Sequence, residues 1–359
     1  MKFLGQFKLA NSNQLIKYLK KIDSNRYYSN FGPLYEQTRN LIKKKLNLKN
    51  NDVILTSSGH SSLLVITKYF KTKTKKKFVL CPSFSFYSNP LSIIDSGFKP
   101  FFVDISQNNL TIDFNKVEKI LKSRTDIAFL MVVSPFGIPI DLKFLNNFQK
   151  KMKIPIVYDA ADSFLNLNKN IKNDIIISCS FHPTKTLGAN ESGLVICKNK
   201  ISNEIKRIIN FGIQPINPNL NTIGFNGKFS EYDAAIFLAN YNNINKKINK
   251  NNKLINEFRK ALTKKFRVLN PNNAKTNKII IHSNVSFNKI FKTLKSFNIF
   301  AKKYWSPNPM HKINIFKKYP KTSMNYTNDY SKKYFGFFIN KDLKISQIKI
   351  ISQKLLRIK

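Results

Sequence analysis

Cysteine is scarce: three residues in 359, at Cys81, Cys179 and Cys197. Each sits in an apolar, strand-like run. No two form a C-x-x-C pair, and the odd count argues against a disulfide framework. A reducing cytoplasm is the location expected of such a chain. Long apolar runs are also missing; none approaches the roughly 18 residues of a membrane span. The opening MKFLGQFKLANSNQ turns polar too early for a signal peptide. Acidic residues are few, 19 against 62 basic, which leaves a net charge of +43. Among the basic residues arginine is rare, 7 against 55 lysines.

That basicity invites a nucleic-acid reading, because neutralising phosphates takes clustered Lys and Arg. The details speak against it. Proteins that read bases favour the bidentate fork of arginine. The lysines here are spread along the chain, with a dense run only at Lys71 to Lys77, and no DNA- or RNA-binding motif is present. The chain is crowded with Asn, Ile, Phe and Tyr and poor in Gly, Ala, Pro and Arg, the signature of A/T-rich codons. The excess charge therefore reads as composition and a solvated face, with a general attraction for anionic substrates. Neither a specific nucleic acid nor a membrane nor a metal is an expected partner.

The length suits two domains. Residues 1–50 read as helical with a break at Asn30-Phe31-Gly32-Pro33, Pro33 opening the second helix. From 52 to about 200, short β-rich runs alternate with helical stretches. The runs are Val53–Leu55, Phe78–Cys81, Phe101–Asp104, Ile127–Val133, Ile154–Tyr158, Ile175–Ser178 and Leu194–Cys197. Helices are expected over Ser61–Phe70, Phe114–Leu121 and Leu142–Met152. This alternation predicts an α/β fold, a mainly parallel seven-stranded sheet buried on both faces. A long helix is expected from Ser230, as N-cap, to about Asn249, and another from Asn252 to Lys265. The remainder, a strand near Lys278–His282, a helix near Asn288–Phe297, a strand near Phe335–Ile339 and a helix over Ser346–Arg357, reads as a smaller α+β domain. The expected division is 1–245 and 246–359. Asn-rich stretches such as 216–222 read as loops.

Three strand ends carry candidate chemistry. Thr56-Ser57-Ser58-Gly59-His60-Ser61-Ser62 follows a strand and opens a helix, where backbone N–H groups can face an anion. The same residues also serve as ordinary helix caps. Ile156-Val157-Tyr158-Asp159 ends a buried strand in a carboxylate, at the sheet edge where ligands of α/β proteins sit. A turn or cap aspartate is the plainer reading. Ser180-Phe181-His182-Pro183-Thr184-Lys185 again follows a strand, and a lysine held in a pocket can attack a carbonyl carbon. Among 55 lysines this one is distinguished by position alone.

Those stretches, taken together, resemble the DegT/DnrJ/StrS family of sugar-nucleotide aminotransferases, over nearly the whole chain. Ser180 to Lys185 matches the family's S-F-H-P-T-K. Pro82-Ser83-Phe84-Ser85-Phe86 resembles its P-S-F-T-F, and Gly97-Phe98-Lys99-Pro100 to Val103-Asp104-Ile105 its G-x-x-P-V-F-V-D-I. Ser134-Pro135-Phe136-Gly137 resembles H-L-Y-G, Asp159-Ala160-Ala161 its D-A-A, Phe225 to Glu231 its N-Y-R-M-S-E, and Pro309-Met310-His311 its P-L-H. The resemblance implies the aspartate-aminotransferase fold (fold type I) and pyridoxal 5′-phosphate (PLP) as cofactor. It implies catalytic roles for Lys185, which would carry PLP as a Schiff base and shuttle protons, and for Asp159, which would pair with the pyridine nitrogen. Phe86 would stack on the ring. Ser58, Gly59, His60 and Ser180 would hold the phosphate, and Asp162 would lie by the ring or its hydroxyl. Asn226 would reach the cofactor of a partner subunit, which implies a homodimer with shared sites. His311 and Lys228 would lie near the substrate, a keto-sugar nucleotide aminated at the expense of an amino acid, glutamate by family analogy.

The chain also departs from the pattern. His60 replaces a threonine and Asp162 a glutamine or histidine. Gly227 and Lys228 replace an aromatic residue and an arginine, and Asn190-Glu191-Ser192-Gly193 replaces G-E-G-G. A carboxylate at 162 beside an oxygen anion is repulsive unless one of them is protonated. Two rival readings share the fold, a PLP-dependent sugar dehydratase and a non-catalytic binding homologue. The first has histidine where this chain has Lys185; the second does not need Lys185 and Asp159 together.

Overall fold

The computed structural model describes residues 9–169, 171, 174–213, 223–262, 265–305, 308–339 and 343–358. The stretch 216–222, read above as a loop, lies outside them. Two helices, α1 (Ser12–Asn25) and α2 (Pro33–Leu46), lead into β1 (Asn51–Thr56), α3 (Gly59–Lys73), β2 (Phe78–Pro82), α4 (Ser88–Asp95), β3 (Lys99–Val103), α5 (Phe114–Ser123), β4 (Ile127–Val133), α6 (Leu142–Met152), β5 (Ile156–Asp159), β6 (Ile176–Ser180), β7 (Gly193–Lys198) and α7 (Asn199–Ile209). Then come α8 (Glu231–Tyr241), α9 (Ile244–Ala261), β8 (Arg267–Val268), β9 (Lys278–His282), α10 (Phe287–Lys295), β10 (Ala301–Lys303), α11 (Asn325–Lys333), β11 (Tyr334–Phe338) and α12 (Ile345–Leu356). None of the described helices is long and apolar enough to cross a membrane.

The first seven strands form one sheet in the order β1-β7-β6-β5-β4-β2-β3. Pairings among β3, β2, β4, β5 and β6 are parallel, and β7 runs against both of its neighbours. Strand periodicity sends alternate residues to opposite faces. Val53, Leu55, Leu130, Val132 and Ile177 enter one core; Ile54, Phe129, Met131, Val157 and Ile176 enter the other. The expected seven-stranded, mostly parallel sheet, buried on both sides, is what the chain forms. Register then fixes the site. Thr56 and Ser180 both sit opposite Gly193, and Asp159 lies between Val133 and Ser178, so these strand ends share one edge.

A second sheet, β10-β11-β9-β8, is antiparallel throughout. It packs with α9, α10 and α12 around Phe258, Ile279, Ile281, Leu294, Phe335 and Ile351. The 309–324 stretch, though it lies within the C-terminal part of the chain, returns to the large sheet. Phe102 of β3 donates to Pro320 O and accepts from Thr322 N, while Met310, Phe316 and Met324 join the core on that side.

The Asn-rich region divides differently from expectation. Ser230 caps α8 as read, accepting from Asp233 N, but α8 ends at Tyr241, and α9 runs unbroken through the expected boundary at 250–251. The reason is tertiary. Asparagine competes with the helix for backbone hydrogen bonds unless its side chain is occupied elsewhere. Asn251 is buried and donates to Thr276 O at 2.8 Å, so its side chain does not compete with the backbone of α9. Helices α4, α7 and α11 and the short strands β8 and β10 add to the elements read from sequence.

Two motif carboxylates are structural. Glu231, 1% exposed, accepts from Leu34 N and Tyr35 N at 2.7 Å each and so caps the first turn of α2. A Cβ at Gly32 would lie 2.8 Å from the Glu231 carboxyl carbon, so residue 32 must stay small. Asp104, fully buried, likewise accepts from Tyr326 N and Thr327 N at the start of α11 and from Lys116. Glu231→Gln is expected to lower unfolding free energy by about 1.5 kcal/mol and Glu231→Ala by about 3 kcal/mol, from the loss of charge-assisted bonds to buried donors. Denaturant titration of both variants reads this; equal, sub-kcal effects would contradict it.

Candidate active site

Lys185 is placed by a turn that folds back on itself beyond β6. Phe181 N donates to Ser192 O, Ala189 N to Phe181 O, and Lys185 N to His182 O. Phe181 is fully buried, edge-on to Phe164 and Phe237, which anchors the turn in the core. His182 organises it. Its Nδ1 accepts from Thr184 N at 3.2 Å, so the neutral ring carries its proton on Nε2, 3.2 Å from Glu191 Oε1. Burial pulls the His182 pKa down against the pull of Glu191. The smaller sheet holds the other side: Asn277 donates to Thr184 O, and Lys247 of α9 donates to Thr186 O. Between these anchors Lys185 Nζ reaches to 3.4 Å from Asp162 Oδ1. A small cavity beside it is lined by Asp162, Ser180, Lys185 and Thr186 among others.

Asp159 ends β5 almost wholly buried. Its Oδ2 accepts from Asn89 of α4 and its Oδ1 from Ala161 N, both at 3.0 Å. Burial raises its pKa, opposed by Asn89 and by the charge of Lys185. A carboxylate kept in a poorly solvated place is a standing invitation to a cation. Asp162 lies three residues on, in a turn approached closely by Gly137, whose φ of +79° and 2.8 Å clearance to Asp162 O leave no room for a side chain. The electrostatic conflict expected at 162 is met by a residue that sequence reading missed. Lys278, at the start of β9, lies 2.5 Å from Asp162 Oδ2. Burial works against the Asp162 charge, yet Lys185 and Lys278 outweigh it and hold the carboxyl at about 2. One lysine in 55 gives no signal, but Lys278 shares its strand face with the buried Ile280, and a lysine at such an inward position is the clue.

The N-terminus of α3 completes the pocket edge. Ser58 caps it, accepting from Ser61 N, and the N–H groups of Gly59 and His60 take no partner among the described residues. A Cβ on Gly59 would stand 2.6 Å from Ser180 Cβ, so the glycine lets the end of β6 close over the helix terminus. The His60 ring turns to Asp95 of α4, Nε2 to Oδ2 4.0 Å, which leaves its backbone N–H as its contribution to an anion cradle. Phe86, 48% exposed, stands 6.2 Å from Trp305, with Lys302 Nζ 6.0 Å from its ring. These residues fit PLP: a helix N-terminus with free N–H groups, an exposed aromatic face, a buried carboxylate and a lysine stand at one sheet edge.

The other candidates lie apart. Asn226 is exposed on a strip next to Gly227, whose carbonyl accepts from Ser57 N. Lys228, opposite Thr56, donates to Asn210 Oδ1 and covers Phe211. His311 is 6% exposed with both ring nitrogens engaged. Ser83 Oγ accepts from His311 N, so its proton goes to Nδ1 at 2.6 Å, and Nε2 faces Asn328 Oδ1 at 3.2 Å. That imidazole ties the 309–312 turn to the loop carrying Phe86, and no ring nitrogen is left for a ligand.

The two aspartates carry opposite stability signs. A raised pKa means that the ionised Asp159 costs the fold stability above that pKa; a depressed one means that Asp162 contributes stability that is lost as pH falls from 3.8 towards 2. In the cofactor-free chain at pH 7, Asp159→Asn is expected to raise the melting temperature. Asp162→Asn is expected to lower stability by about 3 kcal/mol, because Lys278 loses its partner. Melting curves at pH 7 that moved the same way for both would refute the assignment.

A model of the DegT/DnrJ/EryC1/StrS aminotransferase family matches residues 10–356. The dTDP-4-amino-4,6-dideoxy-D-glucose transaminase of Shigella dysenteriae is 27% identical over 318 residues, 85% of this chain and 84% of that one. The UDP-4-amino-4,6-dideoxy-N-acetyl-beta-L-altrosamine transaminase of Campylobacter jejuni is 26% identical over 198 residues, 53% of this chain and 52% of that one. A crystal structure from Bacillus cereus ATCC 10987, assigned as a PLP-dependent aminotransferase, superposes with a TM-score of 0.90 at 26% identity over 99% of both chains. The fold expected from the sequence motifs is thereby borne out, and the chain belongs to the DegT/DnrJ/EryC1/StrS aminotransferase family.

Proposed function

We propose that the chain transfers an amino group from an amino acid, glutamate by family analogy, to a keto-sugar nucleotide, with PLP held at Lys185. The observation that carries this reading is Lys185 facing one carboxylate while a second, Asp159, lies buried at the adjacent strand end. When bound, PLP supplies an electron sink for the carbon that loses or gains the amine. The protein supplies position and protons. The first turn of α3 with Ser180 would anchor the cofactor's phosphate, Asp159 would hold a positive charge on its ring nitrogen, and Phe86 would pack against its ring. Lys185 Nζ takes the proton from the donor's α-carbon and returns one to the acceptor carbon. The curated relatives bear names with dTDP- and UDP-linked amino sugars. A nucleotide-linked hexose is thus the acceptor class, and surface lysines attract its diphosphate.

A second copy of the chain completes the site in this reading. Asn226 is exposed, and so are the apolar side chains of Phe211, Ile223, Tyr232 and Tyr28, at 48%, 85%, 46% and 51%. Large apolar side chains left exposed in this way support an association surface.

The purified protein is expected to take up PLP with a visible absorbance that borohydride fixes on Lys185, and to release 2-oxoglutarate from glutamate with one member of a panel of keto-sugar nucleotides. A protein that never binds PLP, or a Lys185→Ala variant with native turnover, would sink the proposal. For the shared site, Lys185→Ala and Asn226→Ala are each expected to lose activity by at least about 10-fold, the usual contribution of a catalytic or anchoring group. Mixed and re-equilibrated, they should regain part of it in heterodimers that keep one intact site. No recovery despite exchange of subunits would place Asn226 in its own chain's site.

A further inference from the structure

Asp162 meets two ammonium groups, and they are not equivalent. Lys278 approaches Oδ2 at 2.5 Å, Lys185 approaches Oδ1 at 3.4 Å. Lys278 is also the more enclosed, its side chain 8% exposed against 20%. Its position is built in. Lys275 N donates to Asn166 Oδ1, Asn277 donates to Thr184 O, and β9 is held in register by β11, with Lys278 opposite Phe338. The strand that brings Lys278 is therefore stitched to the same loops that present Asp162 and Lys185.

We infer that Lys278 is a positioning residue: by holding Asp162 it keeps that carboxylate from fixing Lys185 as a charged ion pair, and so keeps the Lys185 amine available for carbonyl chemistry. This rests on the reading of Lys185 as the reactive amine and adds to it what lets a carboxylate stand at position 162. Lys278 makes the shorter, hydrogen-bonded contact with Asp162, while Lys185 acts on the same carboxyl mainly through its charge, and two like charges on one anion disfavour each other's proton. Burial pushes Lys278 down to about 8, which leaves it charged at pH 7. The other charges facing this group are Asp159 at the end of β5, His182 and Glu191 across the turn, and Lys302 of β10; Tyr304 adds a hydroxyl beside Asp162. Among the described residues, neither Asp159 nor Glu191 forms an ion pair with Lys278.

The test is reductive methylation of the cofactor-free full chain with formaldehyde and cyanoborohydride at pH 7.5, read by peptide mass mapping. Lys122, 69% exposed, serves as internal reference. Lys278→Met is expected to slow Lys185 labelling by about 10-fold, the lower end of what an undivided carboxylate does to a neighbouring ammonium. Lys278→Arg, which keeps the charge, should restore it. Asp162→Asn should speed labelling, and the double variant Lys278→Met with Asp162→Asn should return to the native rate or above. An unchanged Lys185 rate in Lys278→Met, or a double variant as slow as Lys278→Met, overturns the inference. Should Lys278→Met lose the native circular dichroism, Asp162→Asn decides alone: no acceleration overturns it. The labelling needs no cofactor, so a chain that failed to bind PLP would defeat the proposed function and leave this comparison standing.

Discussion

A carboxylate removed from water must be met by donors or cations, since an isolated buried charge is among the costliest groups a fold can hold. In a chain with 19 acidic and 62 basic residues, the buried carboxylates are where distant elements are joined. Asp52 ties β1 to Arg39 of α2 and Lys206 of α7. Asp104 ties the end of β3 to the first turn of α11, 222 residues away. Glu231 ties α8 to the first turn of α2, and Asp159 ties β5 to α4. Each joint spans elements that hydrophobic packing alone brings near but does not orient. Helix N-termini recur as partners because their free N–H groups are the donors that packing leaves over.

Asp159 differs from the other three in what it lacks. Asp104 and Glu231 each accept from two backbone N–H groups of a helix, and Asp52 has cations at hand. Asp159 has one amide side chain and one turn N–H, and its nearest cationic influence is Lys185. It is the incompletely compensated member of the set, and it lies at the edge where α/β sheets place their ligands. Structural carboxylates are satisfied within the chain; a functional one is held short of satisfaction so that a ligand completes it.

Where the sequence was legible, position carried the meaning. Lys185 and Asp159 follow strands whose apolar runs are easy to read, and parallel strands bring their ends to one edge without knowledge of any side-chain contact. Motif resemblance points to a neighbourhood but does not separate scaffold from site. Asp104, Glu231 and His311 belong to motifs of the same resemblance as the more specific one around Lys185, yet each has its hydrogen-bonding capacity used inside the fold. The α8–α9 break was hidden because an Asn-rich segment looks equally poor in helix propensity throughout; that Asn251 is tolerated inside α9 depends on Thr276, a residue far off in sequence. Lys278 was hidden by abundance.

Abundance also bears on how the site reached its present form. A carboxylate at 162 on its own would bind the Lys185 ammonium and oppose any anion nearby. Its tolerance requires a cation that arrives from elsewhere, and in this lysine-rich chain the inward face of β9 supplies one. Asp162 and Lys278 thus form a single electrostatic unit in which neither member is neutral without the other. That pair also links the two sheets: Asp162 lies in the turn that follows β5 of the large one, and Lys278 opens β9 of the small one.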